Sequence, residues 1–295
     1  MADYRYITYE ELDEGRVARI TMNRPQYRNA QNRGLLVEVD EAFARAERDD
    51  QVRVVILAGA GKSFSSGHDM LSASTPDRQA ERDPDSPDFH PSFAVNGATR
   101  ASVEKRMLQE HHYFYQNTLR WRNLRKITVA QVQGPVFAAG LMLMWACDLI
   151  VAADDATFCD PVGTRLGMCG VEYFGHPWEF GPRRAKEMLL LAETMDAHEA
   201  RRIGMVNRVV ARDRLEEETL RYAQEVAKRP TMTALMIKES VNQTLDNQGF
   251  HNSLQAAFSL HQITHAHWAE LHEGGVPHAT VEDGAVPWKK QKTTQ

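Results

Sequence analysis

Two turns in this chain carry the residue types best suited to activating a carbonyl group. The first, Lys62-Ser63-Phe64-Ser65-Ser66-Gly67-His68-Asp69-Met70, follows the apolar run VVILAGAG. The second, Pro135-Val136-Phe137-Ala138-Ala139-Gly140, follows TVAQVQG. Each comes after a segment that reads as a β-strand. Backbone N–H groups at such turns lack ladder partners and can be aimed at an anion. If the turns converge, they make an oxyanion hole that polarises a carbonyl and stabilises an enolate or a tetrahedral oxyanion. If they do not, they are tight strand–helix connections whose small residues serve packing. Titratable groups collect in CDPVGTRLGMCGVEYFGHPWEFG, Cys159 to Gly181. Glu172, shortly after Leu166-Gly167, Asp160, directly before the Pro161-Val162 step, and His176 are its candidate acid/base groups, the last because a histidine titrates near neutral pH. Tyr173, Trp178 and Glu179 are candidates for shaping the pocket. Each has a plainer alternative: Asp160 before Pro161 ends a strand, Glu172 stabilises a helix start, and His176-Pro177 is loop.

Other constellations fail on spacing. AGAGKS, Ala58 to Ser63, lacks the first glycine of a phosphate loop, because that position is Ile56. Ser66, His68 and Asp69 include every side chain of a hydrolytic triad, but near neighbours generally point apart and no G-x-S-x-G elbow exists. His251, His261, His265, His267, His272 and His278 crowd the C-terminal third. His261 and His265 are one helical turn apart, a spacing compatible with a shared metal. No acidic residue stands at a metal-site spacing such as H-E-x-x-H, so a solvated or interface-facing helix is expected and no metal is assigned.

The elements that must hold these groups alternate. Arg16 to Met22 reads as a strand, Gln31 to Asp49 as an amphipathic helix and Val52 to Leu57 as a buried strand, which favours a layered α/β architecture. Val103 to Leu124 reads as a helix, Thr128 to Gln133 as a strand, Ala138 to Cys147 as a buried helix and Leu149 to Ala152 as a strand. Helices are expected over Arg183 to Glu193 and Ala197 to Arg202, with a strand near Val206 to Val210. From Leu215 the pattern is helical, divided at Pro230. The expected organisation is an α/β core over residues 1–214, with a long loop at 72–100, and a helical region and tail over 215–295. The chain has 295 residues, 42% of them hydrophobic and 25% charged, with a formal net charge of −5. These values suit a soluble globular protein and give no reason to expect nucleic acid as the main partner. The absence of a long apolar span or a secretory leader argues against a membrane partner. The three cysteines show no CxxC pairing, and a reducing, cytoplasmic location is expected.

The ordered motifs NRPQYRNA (Asn23 to Ala30), SFSSGHDM (Ser63 to Met70), VQGPVFAAG (Val132 to Gly140), ACDLIVAADDATF (Ala146 to Phe158) and AHEARRIGMVNRVV (Ala197 to Val210) resemble the enoyl-CoA hydratase/isomerase, or crotonase, family. The resemblance implies a ββα-repeat core with a C-terminal helical trimerisation region, assembled as a homotrimer or a hexamer. It implies an acyl-CoA thioester substrate, with coenzyme A arriving as part of that substrate and no separate cofactor. Carried over by position, the thioester oxygen sits between the backbone N–H groups of His68 and Ala139. Arg28 falls where the family places a basic residue near the coenzyme A phosphates or ribose. Ser66, Asp69 and Met70 would line the adenine and pantetheine side, and Ala30, Ala138, Met142, Pro161 and Val162 the rest of the site. The hydratases of this family use two glutamates. Here Met142 and Val162 stand in those positions, and neither side chain moves a proton. The expectation is therefore an acyl- or enoyl-CoA enzyme of fatty-acid or related metabolism, an isomerase or lyase in which efficient hydration is doubtful. The alternatives are a catalytically reduced thioester-binding scaffold and a thioester hydrolase.

Overall fold

The computed structural model describes residues 4–70 and 103–271. The 72–100 loop and the tail beyond Leu271 lie outside the described residues. In chain order the elements are β1 (Ile7–Leu12), β2 (Val17–Met22), α1 (Arg33–Arg48), β3 (Val54–Gly59), α2 (Val103–Glu110), a π-helical stretch (His111–Gln116), α3 (Asn117–Arg122), β4 (Ile127–Val132), β5 (Pro135–Phe137), α4 (Ala139–Trp145) and β6 (Leu149–Ala153). They continue with β7 (Thr157–Cys159), α5 (Val162–Leu166), α6 (His176–Phe180), α7 (Pro182–Leu191), β8 (Met195–Asp196), α8 (Ala197–Ile203), β9 (Arg208–Val210), α9 (Leu215–Ala227), α10 (Thr231–Asn247) and α11 (Phe250–Leu271).

A six-stranded sheet runs β1-β2-β3-β4-β6-β9, and a three-stranded sheet runs β5-β7-β8. In the large sheet only β1 is antiparallel to its neighbour. Its inner strands β2, β3, β4 and β6 are buried on both faces, as parallel strands covered on two sides must be. One face carries Ala18, Ile20, Met22, Val55 and Leu57 into the main core. Leu35, Leu36, Val39 and Phe43 of α1 join that core, and the Asn32 side chain caps the helix by accepting from Leu35 N–H at 2.9 Å. The other face sends Val17, Val54, Ile56, Val129 and Val151 against Leu215, Ala223 and Ala227 of α9. The expected helical C-terminal region is present, and its first helix is thus one layer of the sheet's own packing.

The mixed α/β class is as the sequence indicates. The differences lie where elements are too short to show a period. Strands β5, β7 and β8 and helices α5 and α6 span two to five residues each and leave no periodic signal. The helix expected over Val103 to Leu124 exists, but it widens into a π-helical stretch at its middle. Cys147, Cys159 and Cys169 are all unpaired. Among the described residues no helix is long and apolar enough to cross a membrane.

Candidate active site

The two turns singled out by sequence lie against each other. Phe64 N–H donates to the Gln133 carbonyl at 2.8 Å and Phe137 N–H to the Ser65 carbonyl at 3.1 Å. Gly140 permits this approach, because a Cβ there would sit 2.4 Å from the Ser65 oxygen. The first turn is fastened from its other side by the Asn23 to Ala30 motif. Asn29 Nδ2 reaches the carbonyls of Ala60 and Ser63, both at 2.9 Å, while its Oδ1 accepts from Arg24 N–H at 2.9 Å. Gln31 N–H donates to the Gly67 carbonyl at 2.8 Å, and Asp69 N–H donates to the Gln31 carbonyl at 3.0 Å.

That last pair of bonds sets the direction of His68. In a parallel bridge the residue between the two bonded peptides points its own N–H away from the partner strand. Among the described residues, the N–H groups of His68 and Ala139 donate to no protein acceptor. Ala139 is the first residue of α4, where the N–H has no intrahelical partner, and the preceding Ala138 is held at φ +48°, ψ −123°. A non-glycine residue in that region stores strain, which the clamped turns impose. A Cβ on Gly67 would stand 3.1 Å from the Ala139 nitrogen. The peptide that carries the His68 N–H therefore passes directly beside the Ala139 N–H.

The His68 side chain extends the site. Its Nε2 lies 3.0 Å from Glu172 Oε2, and its ring stacks on Phe114 with centroids 3.6 Å apart. Phe114 comes from the π-helical stretch, a local widening often found at functional sites. Glu172 Oε1 is in turn 3.6 Å from Nε2 of His261, and the same nitrogen is 3.6 Å from Glu110 Oε2. Glu110 Oε1 lies 3.3 Å from His265 Nε2. Burial pushes the Glu172 carboxyl up, but the His68 and His261 imidazoles outweigh it and hold it below its ordinary value. Glu110 is lowered in the same way by His261 and His265. Burial pulls His261 down, yet contacts with Cys169, Glu110 and Glu172 prevail and lift it to about 11. The result is an ionised carboxylate against the imidazole of a residue whose N–H, among the described residues, donates to no protein acceptor.

The other two candidate acid/base residues sit elsewhere. Asp160 and His176 pair at 2.9 Å with both side chains wholly buried. Asp160 Oδ1 accepts from Val162 N–H at 3.0 Å and Oδ2 from Val171 N–H at 3.3 Å. The His176 ring packs among Trp145, Phe174 and Phe180. This pair fastens the 160–176 segment, and neither side chain is exposed among the described residues. Asp69 is likewise turned inward, buried and paired with the buried Arg24 at 3.0 Å. Arg28 is exposed in a left-handed conformation, Ser66 and Met70 are half-buried, and Ser66 Oγ reaches the Tyr27 carbonyl at 3.4 Å. Ala30, Met142 and Val162 are buried, and Ala138 and Pro161 are half-buried. His261 and His265 are buried within the chain, whereas a solvated or interface-facing helix was expected for them. Phe114 and Glu110 carried no sequence signal, because nothing local relates them to residues more than a hundred positions away. The one usable hint was the helical spacing of His261 and His265.

A layered α/β fold with two clamped turns facing each other, backed by a carboxylate, defines the class. The chain belongs to the enoyl-CoA hydratase/isomerase family, whose sequence model matches residues 13–90 and 94–291. It is 57% identical over 287 residues to a protein of Mycobacterium tuberculosis named "Putative enoyl-CoA hydratase EchA13", covering 97% of this chain and 89% of that one. It is 30% identical over 271 residues to 4-chlorobenzoyl coenzyme A dehalogenase-2 of an Arthrobacter species, covering 90% of this chain and 88% of the relative. A solved structure of a probable enoyl-CoA hydratase from Mycobacterium smegmatis superposes with a TM-score of 0.79 at 43% identity, over 93% of this chain and 99% of that one.

Proposed function

We propose that this protein binds an acyl- or enoyl-CoA thioester and moves a proton next to its carbonyl. The thioester oxygen is received by the N–H groups of His68 and Ala139, which stabilise the enolate formed when a carbon-bound proton leaves. Glu172 takes and returns that proton, and the His68 imidazole orients its carboxylate. The observation that carries the reading is the 3.0 Å contact between Glu172 and the side chain of a residue whose own N–H is unpaired.

Met142 and Val162 stand where the hydratases of the family place their glutamates, which supports an isomerase-type proton shift over hydration. The dehalogenase relative shows that the family's scaffold also serves an aromatic acyl group. Exposed Arg28 is available to a coenzyme A phosphate. Met232, Met236, Ile237 and Val241 on α10 are large apolar side chains left exposed, which supports their burial against further copies in a homotrimer. The test is proton exchange at the acyl carbons of a panel of acyl-CoA thioesters in heavy water, followed by NMR. Exchange by the native protein and its loss in Glu172→Gln support the reading. Unchanged exchange in that variant removes Glu172 from the role, and ordinary rates of crotonyl-CoA hydration contradict the proton-shift preference.

A further inference from the structure

Glu110 on α2 and His261 and His265 on α11 bring three metal-ligating side chains together from distant parts of the chain. One donor atom from each lies within 4.8 Å of the others, and all three residues are buried. The His261 ring is fixed by its Nδ1–H, which donates to the Gly170 carbonyl at 2.7 Å. That bond leaves Nε2 directed into the cluster. Among the described residues Nε2 has no hydrogen-bond partner, although His261 is only 3% exposed. A buried polar atom without a partner is costly, and a native fold ordinarily satisfies it.

The separations suit a shared ion. Imidazole and carboxylate bonds to zinc of about 2.0–2.1 Å, meeting at a tetrahedral angle, hold the donor atoms about 3.3–3.4 Å apart. Here His261 Nε2 lies 3.6 Å from Glu110 Oε2 and His265 Nε2 lies 3.3 Å from Glu110 Oε1, so the carboxylate either binds through both oxygens or turns to offer one to a common ion, and the donor set closes from its present spread of up to 4.8 Å. The first distance is too long for a hydrogen bond but ordinary for two ligands of one cation. Supporting contacts are in place as well. The Gly170 carbonyl orients one imidazole, and Gln262 Nε2 donates to Glu110 Oε2 at 2.6 Å, contacts of the kind that fix metal ligands.

We propose that Glu110, His261 and His265 form a binding site for a divalent cation of the zinc class. Two imidazoles and one carboxylate match zinc, cobalt or nickel better than magnesium or calcium, which favour all-oxygen cages. Three protein ligands leave a further position for water. Glu172 Oε1, 3.6 Å from His261 Nε2, adds negative charge at the border of the site. Arg106 opposes loading. Its Nη1 lies 3.3 Å from His265 Nδ1 and, as the donor, places the ring proton on the Nε2 that must bind metal. A cation therefore has to displace that proton, together with the one that the flanking carboxylates favour on His261 Nε2, and turn the guanidinium away, so Arg106 weakens the site.

This assignment is independent of thioester chemistry and is tested without a substrate. The full-length protein is stripped with a chelator and titrated with zinc by calorimetry and with cobalt by visible absorption. One ion per chain is expected. His265→Asn and Glu110→Gln should abolish saturable binding. Gln262→Leu should weaken it about tenfold, as loss of an orienting contact does. His267→Ala, which alters a histidine outside the cluster, should leave it unchanged. Arg106→Ala should tighten it, a sign that a purely structural ion-pair network would not give. Circular dichroism reports which variants fold. If Glu110→Gln does not fold, Arg106→Ala and Gln262→Leu decide. No saturable binding by the native chain, equal binding by His265→Asn, or no tightening in Arg106→Ala would overturn the proposal.

Discussion

The segment between Cys159 and Gly181 supplies the carboxylates of two carboxylate–imidazole pairs of nearly equal length, Asp160–His176 at 2.9 Å and Glu172–His68 at 3.0 Å. Their surroundings differ in every respect that matters for chemistry. The Asp160 carboxylate is saturated by two peptide N–H groups and an imidazole, inside a wall of aromatic rings. Among the described residues the Glu172 carboxylate accepts from no peptide N–H; its neighbours are the rings of His68 and His261. His68 keeps 16% of its side-chain surface, whereas His176 keeps none. A pair distance alone therefore does not identify a reactive group. What separates fastener from reagent is whether the remaining lone pairs are already satisfied by rigid backbone.

The largest effect expected from this contrast is on turnover. Glu172→Gln should lower the rate of acyl-proton exchange by about 10²–10⁴-fold, the range for removing a positioned acid or base, with little change in melting temperature. A variant that keeps its rate would show that the two pairs do not differ in function. The converse variant, Asp160→Ala, should cost about 3–5 kcal/mol of stability, because it leaves a buried imidazole and two peptide donors without partners. Urea unfolding measures it. A loss as small as that of a typical surface substitution would mean that the buried pair fastens nothing.

How far the sequence could reach follows from the same contrast. The turns were legible because their requirements are local: small residues after an apolar strand are visible as such, and Gly67, Gly134 and Gly140 all stand at close approaches between them. Helix α1 was legible from its apolar stripe, and its boundary moved by two residues because Asn32 caps instead of joining it. Asp160, Glu172 and His176 could not be ranked, since all three are titratable residues of one segment. Their ranking depends on Trp145, Phe180 and the amides of Val162 and Val171, which tertiary packing brings in. His68 was noticed for its peptide nitrogen; the value of its imidazole became visible only with Glu172 and Phe114 in place. Arg28 and Arg24 likewise look alike as neighbouring arginines, yet one is exposed and the other is buried against Asp69.

Smaller perturbations sharpen the claim that rigid backbone, and not side-chain identity, prepares the site. Gly67→Ala forces a Cβ to 2.9 Å from the Phe137 oxygen and 3.1 Å from the Ala139 nitrogen, at a φ of +93°. Exchange should fall by about 10²–10³-fold, the cost of losing one oxyanion donor, and a structure of the variant should show the turns parted. Ala138→Gly acts in the opposite sense on stability. A non-glycine residue at φ +48°, ψ −123° carries about 1–3 kcal/mol of strain. Glycine relieves it but gains about 0.4–1 kcal/mol of unfolded-chain entropy, so a net stabilisation of about 1 kcal/mol is expected in urea unfolding. If the strain serves to aim the Ala139 N–H, the more stable variant should also be the slower one. A variant that is less stable than the native chain would show that Ala138 is not strained, and the turns would then be ordinary connections.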